Sequence, residues 1–572
     1  MDARACIAAL LFLPATAVAQ TRVETLLGAA SGDGFGASVA FVGDTNGDGF
    51  DDFAIGSPLN DAAGSNAGRV DLYSGRTTQP IRSWLGGSGS KYFGSAIAGV
   101  GDLDGDSLAD VAIGAGGWGG SYPGSWTGLV AGYVRLYSGG TGALIAEIPA
   151  PAGALRFGYA LAGGVDLNGD GVGEILVGAP GDGDDVGYVY VFDGATRTQL
   201  RSDGAIGGFN FGFSIAYLGD ISGDGVADYA AGAPRYQEGW DDAGWVHALD
   251  GATGATLWTR AGGVWSQFGW SVARVGDVNG DGYADLLVGS RGRGGTWLGC
   301  MGFSQADVLS GATGSVLRTH QELSVCSAYG SSAASPGDLD GDGLDEYVVG
   351  GPGWYLDFDP AERLRVFGGA PAAPLIEVRS PNGYPVSYDA WGFALASGDA
   401  NGDGLRDLLV GTPFDDTSAT SAGAVFAFTV VRGVMIYCSA EPNSLGCSPS
   451  IAGVGTPSAS LASPFDVRAT NVLNQKSGLL FYGFKPRQTP FQGGWMCIAA
   501  PTARTAVQGS GGSPSGNDCS GVFSLDFNAR IQGGADPLLV TGEEVFAQYW
   551  SRDPADTSTT NLTDALAFYI QP

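Results

Sequence analysis

The sequence predicts an all-β chain: a seven-bladed β-propeller whose last blade is closed by an N-terminal strand, followed by a small disulfide-stapled β-sandwich. Three observations carry this. A pattern of about 24 residues recurs seven times along the chain. Its leading aspartate falls at 44, 102, 166, 220, 277, 338 and 399, intervals that suit one four-stranded blade with generous loops. Within each interval, runs of period-two apolar alternation are bounded by Gly, Asp and Pro, the signature of short strands.

The pattern opens on Phe-Gly and closes near Gly-Ala-Pro. Its first copy, "FGASVAFVGDTNGDGFDDFAIGSP", runs from Phe35 to Pro58. Further copies start at Phe93, Phe157, Phe211, Phe268, Tyr329 and Trp391. In the first blade the strands read "SVAFV", "DFAIG", "GRVDLYSG" and "PIRSWLG", and later blades echo them. The seventh copy stops after its third strand, "GAVFAFTV", while "RVETLLGA" from Arg22 reads as a fourth strand with no blade of its own. A ring of sheets has to close without an exposed edge, so Arg22–Leu27 is expected to pair with Ala424–Val430.

Each acidic loop reads D-x-[DNS]-x-D-[GS]-x-x-[DE]. Calcium takes six to eight hard oxygens, and a tight turn presents them from positions 1, 3, 5, 7 (a carbonyl) and 9. The expected ligands are Asp44, Asn46, Asp48, Phe50 and Asp52 in loop one, and Asp102, Asp104, Asp106, Leu108 and Asp110 in loop two. Loop three offers Asp166, Asn168, Asp170, Val172 and Glu174; loop four Asp220, Ser222, Asp224, Val226 and Asp228. Loop five offers Asp277, Asn279, Asp281, Tyr283 and Asp285; loop six Asp338, Asp340, Asp342, Leu344 and Glu346; loop seven Asp399, Asn401, Asp403, Leu405 and Asp407. Position 6 is Gly except for Ser107, where the turn is expected to be strained. The ligand positions hold 23 carboxylates, and crowding three or four in one turn without a cation is unfavourable. Up to seven structural Ca²⁺ ions are therefore expected, pinning the hairpin between the first and second strands of each blade.

These copies resemble FG-GAP repeats, the blade type of the integrin α-subunit propeller. The resemblance rests on the Phe-Gly openings, the acidic loops and the Gly-Ala-Pro closings at Gly178–Pro180 and Gly232–Pro234, and covers roughly Thr21 to Val431. It departs from the pattern at Tyr329, at Trp391 and at Gly289–Arg291.

The rest of the chain divides around the repeats. Residues 1–19 read as a signal peptide: Arg4, an apolar run from Cys6 to Pro14, then Ala17-Val18-Ala19. Export places the chain outside the cell or on its surface. Residues 20–432 are the propeller, and 433–572 a β-sandwich-like domain holding the runs "GLLFYGF", "GVFSLDF", "EEVFAQYW" and "ALAFYIQ". That domain loosely resembles C-terminal modules of secreted bacterial proteins. Past the signal, six cysteines remain: Cys300, Cys326, Cys438, Cys447, Cys497 and Cys519. An even count in an exported chain suggests disulfides; of the connectivities open, the local pairs Cys300–Cys326, Cys438–Cys447 and Cys497–Cys519 are favoured. No later apolar stretch is long enough for a membrane helix.

A net charge of −31 excludes polynucleotide binding. The loops opposite the acidic rim hold Trp118, Tyr122, Trp126, Tyr236, Trp240, Trp297, Trp354 and Tyr355, candidates for stacking on a glycan or gripping a protein. No catalytic constellation is found: His247 and His320 both fall in strands, and no nucleophile elbow, zinc-protease motif or phosphate loop occurs. The expected function is a secreted, calcium-dependent recognition or adhesion protein that binds a protein or carbohydrate. The rivals are a polysaccharide-active hydrolase using acids such as Asp241 and Glu238, or a structural envelope component.

Overall fold

A computed structural model describes residues 20–570 apart from 88–91, 118–130, 182–185, 236–241, 293–303, 323–326, 339–343, 353–362, 369–373, 380–388, 403–404, 432–434, 438–439, 492–493, 535, 542 and 557–558. The chain divides into two compact units, Thr21–Val430 and Val431–Pro572.

The first unit contains seven four-stranded antiparallel sheets among the described residues. The first sheet runs Ser38–Gly43, Asp52–Ser57, Arg69–Tyr73, Pro80–Leu85 in chain order. The first strands of the sheets are Ser38–Gly43, Ala96–Gly101, Ala160–Val165, Ser214–Gly219, Phe268–Arg274, Ser332–Gly337 and Ala394–Gly398. Each lies beside the next, and the last lies beside the first, so the sheets form a closed ring. The seventh sheet holds only three strands from its own repeat. Its fourth is Gln20–Leu27, hydrogen-bonded to Ala424–Val431, which is the closure that strand counting demands.

Burial follows position in the sheet. Second strands such as Asp52–Ser57 and Glu174–Ala179 are buried at every residue, because neighbouring sheets cover both faces. Fourth strands are more exposed: in Pro80–Leu85 only Trp84 is buried. The hydrophobic cores lie between sheets rather than within them. One joins Val42, Ala54, Val70 and Leu72 of the first sheet to Phe93, Val111, Ile113 and Tyr137 of the second. The joint that closes the ring is built the same way, from Phe35, Phe53 and Ile55 with Leu409 and Val425.

The repeated motif ends meet in these joints. The opening aromatics Phe93, Phe157, Phe211, Phe268, Tyr329 and Trp391 are almost wholly buried. The glycine after Phe93 has φ +84°, which a side chain disfavours. A Cβ on Gly56, in the closing motif of the preceding blade, would land on the Gly94 carbonyl oxygen. Close backbone approach across the joint thus accounts for both glycines. Side chains add to it: Ser38 Oγ donates to Gly94 O (2.7 Å) and Trp84 Nε1 to Gly142 O (3.0 Å), each in the next blade.

The second unit packs a three-stranded sheet (Ser450–Val454, Asp466–Val472, Gly521–Asp526) with a larger sheet built on Ser477–Gly483, Glu544–Arg552 and Thr560–Tyr569. Ile451, Val467 and Phe523 share one core with Leu480, Tyr549 and Phe568. A short helix, Phe527–Gln532, is capped by Asp526, whose side chain accepts the Ala529 N–H, and it buries Phe527 and Ile531 in the same core.

The disulfides of this unit correct the local pairing expected from sequence. Cys447 is bonded to Cys519, with Cα atoms 6.5 Å apart, so neither Cys438–Cys447 nor Cys497–Cys519 forms. The reason is sheet order. The strands that follow the two cysteines, Ser450–Val454 and Gly521–Asp526, flank Asp466–Val472 on either side. Ser450 pairs with Thr470 and Gly521 with Val472, so both cysteines arrive at the same end of the sheet. Cys497 is also disulfide-bonded. Cys300, Cys326 and Cys438 lie outside the described residues. Among the described residues no helix is long and apolar enough to cross a membrane, which leaves strand-built spans unaddressed.

Candidate functional site

Each acidic loop is the hairpin between a first and a second strand. The register is the same in blade after blade: Gly43 faces Asp52, Gly101 faces Asp110, Val165 faces Glu174, Gly219 faces Asp228 and Gly398 faces Asp407. Position 9 is therefore the first residue of the second strand, or in the fifth blade the residue just before it, and the strand carries it into the joint. Asp52, Asp110, Glu174, Asp228, Asp285, Glu346 and Asp407 are all buried, whereas the leading aspartates are half-buried or, at Asp102, exposed.

The two ends of the loop hold the backbone differently. In loop one, Asp44 Oδ1 accepts the Gly47 N–H (2.7 Å) and Oδ2 the Gly49 N–H (2.8 Å), so the turn winds around the first carboxylate. In loop two the buried Asp110 accepts from Leu103 N at 2.7 Å and from Gly139 N, beyond the third strand, at 3.0 Å. Ser107, the one departure from Gly at position 6, adopts φ +69°, the strained conformation expected of it. The electrostatics divide along the same line. Backbone N–H groups, that of Gly171 foremost, hold Asp166 below the usual carboxylate range, and Gly225 does the same for Asp220. Burial pushes Asp110 up to about 6, only partly offset by the Gly139 and Leu103 N–H groups, with Asp104 and Asp106 raising it further.

Two sets of carboxylates converge tightly among the described residues: Asp102, Asp104 and Asp110, and Asp166, Asp170 and Glu174, each with one oxygen per residue within 4.8 Å of the others. Two calcium–oxygen bonds of about 2.4 Å span that distance, and the donors are hard oxygens. The residues present fit a calcium ion. Asp340, Asp342 and Asp403 lie outside the described residues, and so do Trp118, Tyr122, Trp126, Tyr236, Glu238, Trp240, Asp241, Trp297, Trp354 and Tyr355.

The opposite face carries the connections between second and third strands. Sequence reasoning missed a feature there. The residue after Phe-Gly opens the first strand at the axis of this face, and in three consecutive blades it is aromatic: Tyr159, Phe213 and Trp270. Their rings form an arc, with Tyr159 and Phe213 centroids 4.8 Å apart and Phe213 and Trp270 4.5 Å apart. The Arg291 guanidinium lies 3.3 Å from the Trp270 ring centre and its Nε donates to Gln267 Oε1 at 3.3 Å. Ala37, Ser95 and Ser331 hold the same position in three other blades, and in the seventh Phe393 packs on Phe414 (ring centroids 6.5 Å), so three touching rings on consecutive blades make a symmetric ring one-sided. The triplets FGY, FGF and FGW were the signal available in sequence.

The two histidines sit in strands, as their sequence context suggests. His247 Nδ1 lies 3.0 Å from Thr259 Oγ1, and His320 Nε2 lies 2.7 Å from the Tyr347 hydroxyl. Asn561, in the Asn-Leu-Thr triplet, is buried and donates to Glu441 O at 2.7 Å.

A closed ring of like four-stranded sheets, each with an acidic hairpin on one rim, defines a repeat-built β-propeller. Comparison with known proteins specifies its kind. The FG-GAP repeat model matches residues 35–73, 93–137, 157–192, 268–299 and 391–428. Integrin α-5 of Xenopus laevis is 30% identical over 220 residues, covering 35% of this chain and 20% of that protein. Integrin α-V of Gallus gallus is 33% identical over 211 residues, 35% of this chain and 20% of that one. Integrin α-PS2 of Drosophila melanogaster is 36% identical over 145 residues, 23% and 10% of the two chains. This chain thus spans about a fifth or less of the length of these relatives. The solved Dos1 propeller aligns with 71% of this chain and 94% of its own, at 13% identity and a TM-score of 0.38. The chain carries FG-GAP repeats at these five places and resembles the integrin α propeller. The blades opening at Phe211 and Tyr329 fall outside the family match but form the same four-stranded sheets.

Proposed function

We propose that the chain is an exported recognition or adhesion module, braced by calcium on one rim and binding a protein or glycan on the other. The observation that carries this reading is the division of labour between the faces. The acidic hairpins all lie on one face, where they tie first strands to second strands. The opposite face carries an asymmetric aromatic feature, the arc of touching rings Tyr159, Phe213 and Trp270. Aromatic clusters with a neighbouring arginine are the usual composition of binding hot spots. The likeness to integrin α propellers supports an adhesion-type role.

In this reading Asp102, Asp104, Asp106 and Asp110, and their counterparts in the other loops, hold the ions. The ion neutralises carboxylates that otherwise repel one another and stiffens the hairpin. The labelled chain, applied to a glycan array and to a panel of purified cell-surface proteins in calcium buffer, is expected to bind a restricted set of probes. Trp270→Ala is expected to weaken that binding roughly tenfold or more, and chelation to abolish it by loosening the ring. Binding unchanged in Trp270→Ala would place the ligand elsewhere. A purified protein with essentially no divalent cation, and a melting curve unmoved by EDTA, would end the calcium part.

A further inference from the structure

The second unit holds a buried acid that neither the ring nor its acidic loops explain. Glu441 is 8% exposed, and its Oε2 has no hydrogen-bond partner. Its main chain is fixed: the Glu441 N–H donates to Leu562 O at 3.0 Å, and Asn561 Nδ2 donates to Glu441 O at 2.7 Å. The side chain cannot easily leave for solvent.

The charged groups facing it are all of its own sign. Asp556 and Asp553 approach from the turn after the Glu544–Arg552 strand, and from the last strand only the Leu562 N–H favours the ionised form. Asp553 is itself buried and anchored, accepting the Ser444 N–H at 2.6 Å and the Ser444 O–H at 2.7 Å. The turn is closed by Asp556 N–H to Asp553 O and Thr559 N–H to Asp556 O. No lysine or arginine among the described residues enters the balance at Glu441. The three carboxylates are not among the tightly converging trios either, which tells against a preformed cation site.

We propose that the Glu441 carboxyl is a pH-operated latch: as the neutral acid it lets the Asp553–Asp556 turn pack against the 441–447 segment, and once ionised it drives them apart. Burial, and then Asp556 and Asp553, push this carboxyl up to about 7, against an ordinary value near 4.5. A group whose folded value is raised contributes stability that is complete below its unfolded value and is lost as pH rises through the folded one. The latch is therefore fully closed below about pH 4.5, weakens as pH rises, and has lost its hold by a little above pH 7. Because Ser444 ties Asp553 to the segment carrying Cys447, opening frees one end of the three-stranded sheet while the Cys447–Cys519 bond keeps it tethered.

The test is hydrogen exchange on the full chain from pH 5.5 to 8.5 in EDTA, corrected for the intrinsic base catalysis of exchange, following peptides over 441–447 and 553–562. The expected result is a roughly tenfold loss of protection between pH 6 and 8 in the natural protein, and none in Glu441→Gln. Asp556→Asn, which keeps the titrating group, should move the midpoint to lower pH and keep the shape. A natural protein and Glu441→Gln with the same pH profile, or an Asp556→Asn midpoint that does not move, would overturn the latch. So would a profile in the natural protein that added calcium alone flattens, since a cation rather than a proton would then neutralise the trio.

Discussion

The ring and the second unit bury apolar surface in opposite ways. In the ring, each core is shared between neighbouring blades, as in the cluster that joins Val70 and Leu72 to Phe93 and Tyr137. In the second unit, one core is enclosed by sheets whose strands come from distant stretches of chain, with Ser477–Gly483 paired to Glu544–Arg552 and Cys447 bonded to Cys519. A blade thus has little core of its own and depends on its neighbours, whereas the second unit is its own support. Damage to a joint should spread around the ring and spare the second unit; damage to the disulfide should do the reverse.

The strongest attempt to break this contrast is Gly56→Val. Its side chain would occupy the place of Ser38 Oγ and of the Gly94 backbone, and the backbone cannot swing aside. Loss of more than about 4 kcal/mol is expected, enough to unfold the ring. Near-ultraviolet circular dichroism and proteolysis should find the ring gone and residues 431–572 still protected. Survival of the ring would mean that joints tolerate more movement than their backbone contacts imply.

Phe93→Ala empties the same joint without a clash. Its expected destabilisation is about 3–5 kcal/mol, read by denaturant unfolding, and it should weaken the first and second blades together. Protection lost in the second blade alone would show that cores belong to blades after all.

In the other unit, Cys447→Ser with Cys519→Ser removes a bond that closes a separation of 72 residues. A loss of about 2–4 kcal/mol confined to residues 431–572 is expected by calorimetry. A matching loss in the ring transition would break the independence of the two regions.

The smallest effect sharpens the comparison. Burial pushes the His247 imidazole down to about 4, so the folded ring resists its protonation. Its stabilising effect is complete above the unfolded value near 6.5 and is lost as pH falls toward 4. About 2 kcal/mol should be gone from the ring by pH 5, whereas the Glu441 latch runs in the opposite sense in the other unit. His247→Gln should flatten the acid limb of the ring melting temperature. An unchanged limb would assign it to the loop carboxylates instead.

Much of the ring was legible because its information is local and repeated. A hairpin such as Gly43 to Asp52 is spelled within ten residues, and its spacing recurs from blade to blade, so an error in one copy is corrected by the others. Even ring closure by Arg22–Leu27 followed from counting strands. The second unit was legible only as strands. The runs at Ser477–Gly483, Gly521–Asp526 and Glu544–Arg552 were visible, but the order in which they pair was not. The Phe527–Gln532 helix was missed because six residues show too little periodicity to outweigh the strand-like run before them.

The sequence by itself determined the repeat, the placement of every acidic hairpin and the need for a closing strand, because each depends on residues close together or on a period. Only the tertiary structure decided that Cys447 meets Cys519, that Tyr159, Phe213 and Trp270 touch, and that Glu441 is buried against Asp553 and Asp556. Those contacts join residues separated by some fifty to more than a hundred positions; the repeat marks where the three aromatics stand, and nothing in the sequence marks which residues touch. The packing of whole sheets selects them, and that choice is made by the sum of many weak apolar contacts rather than by any motif.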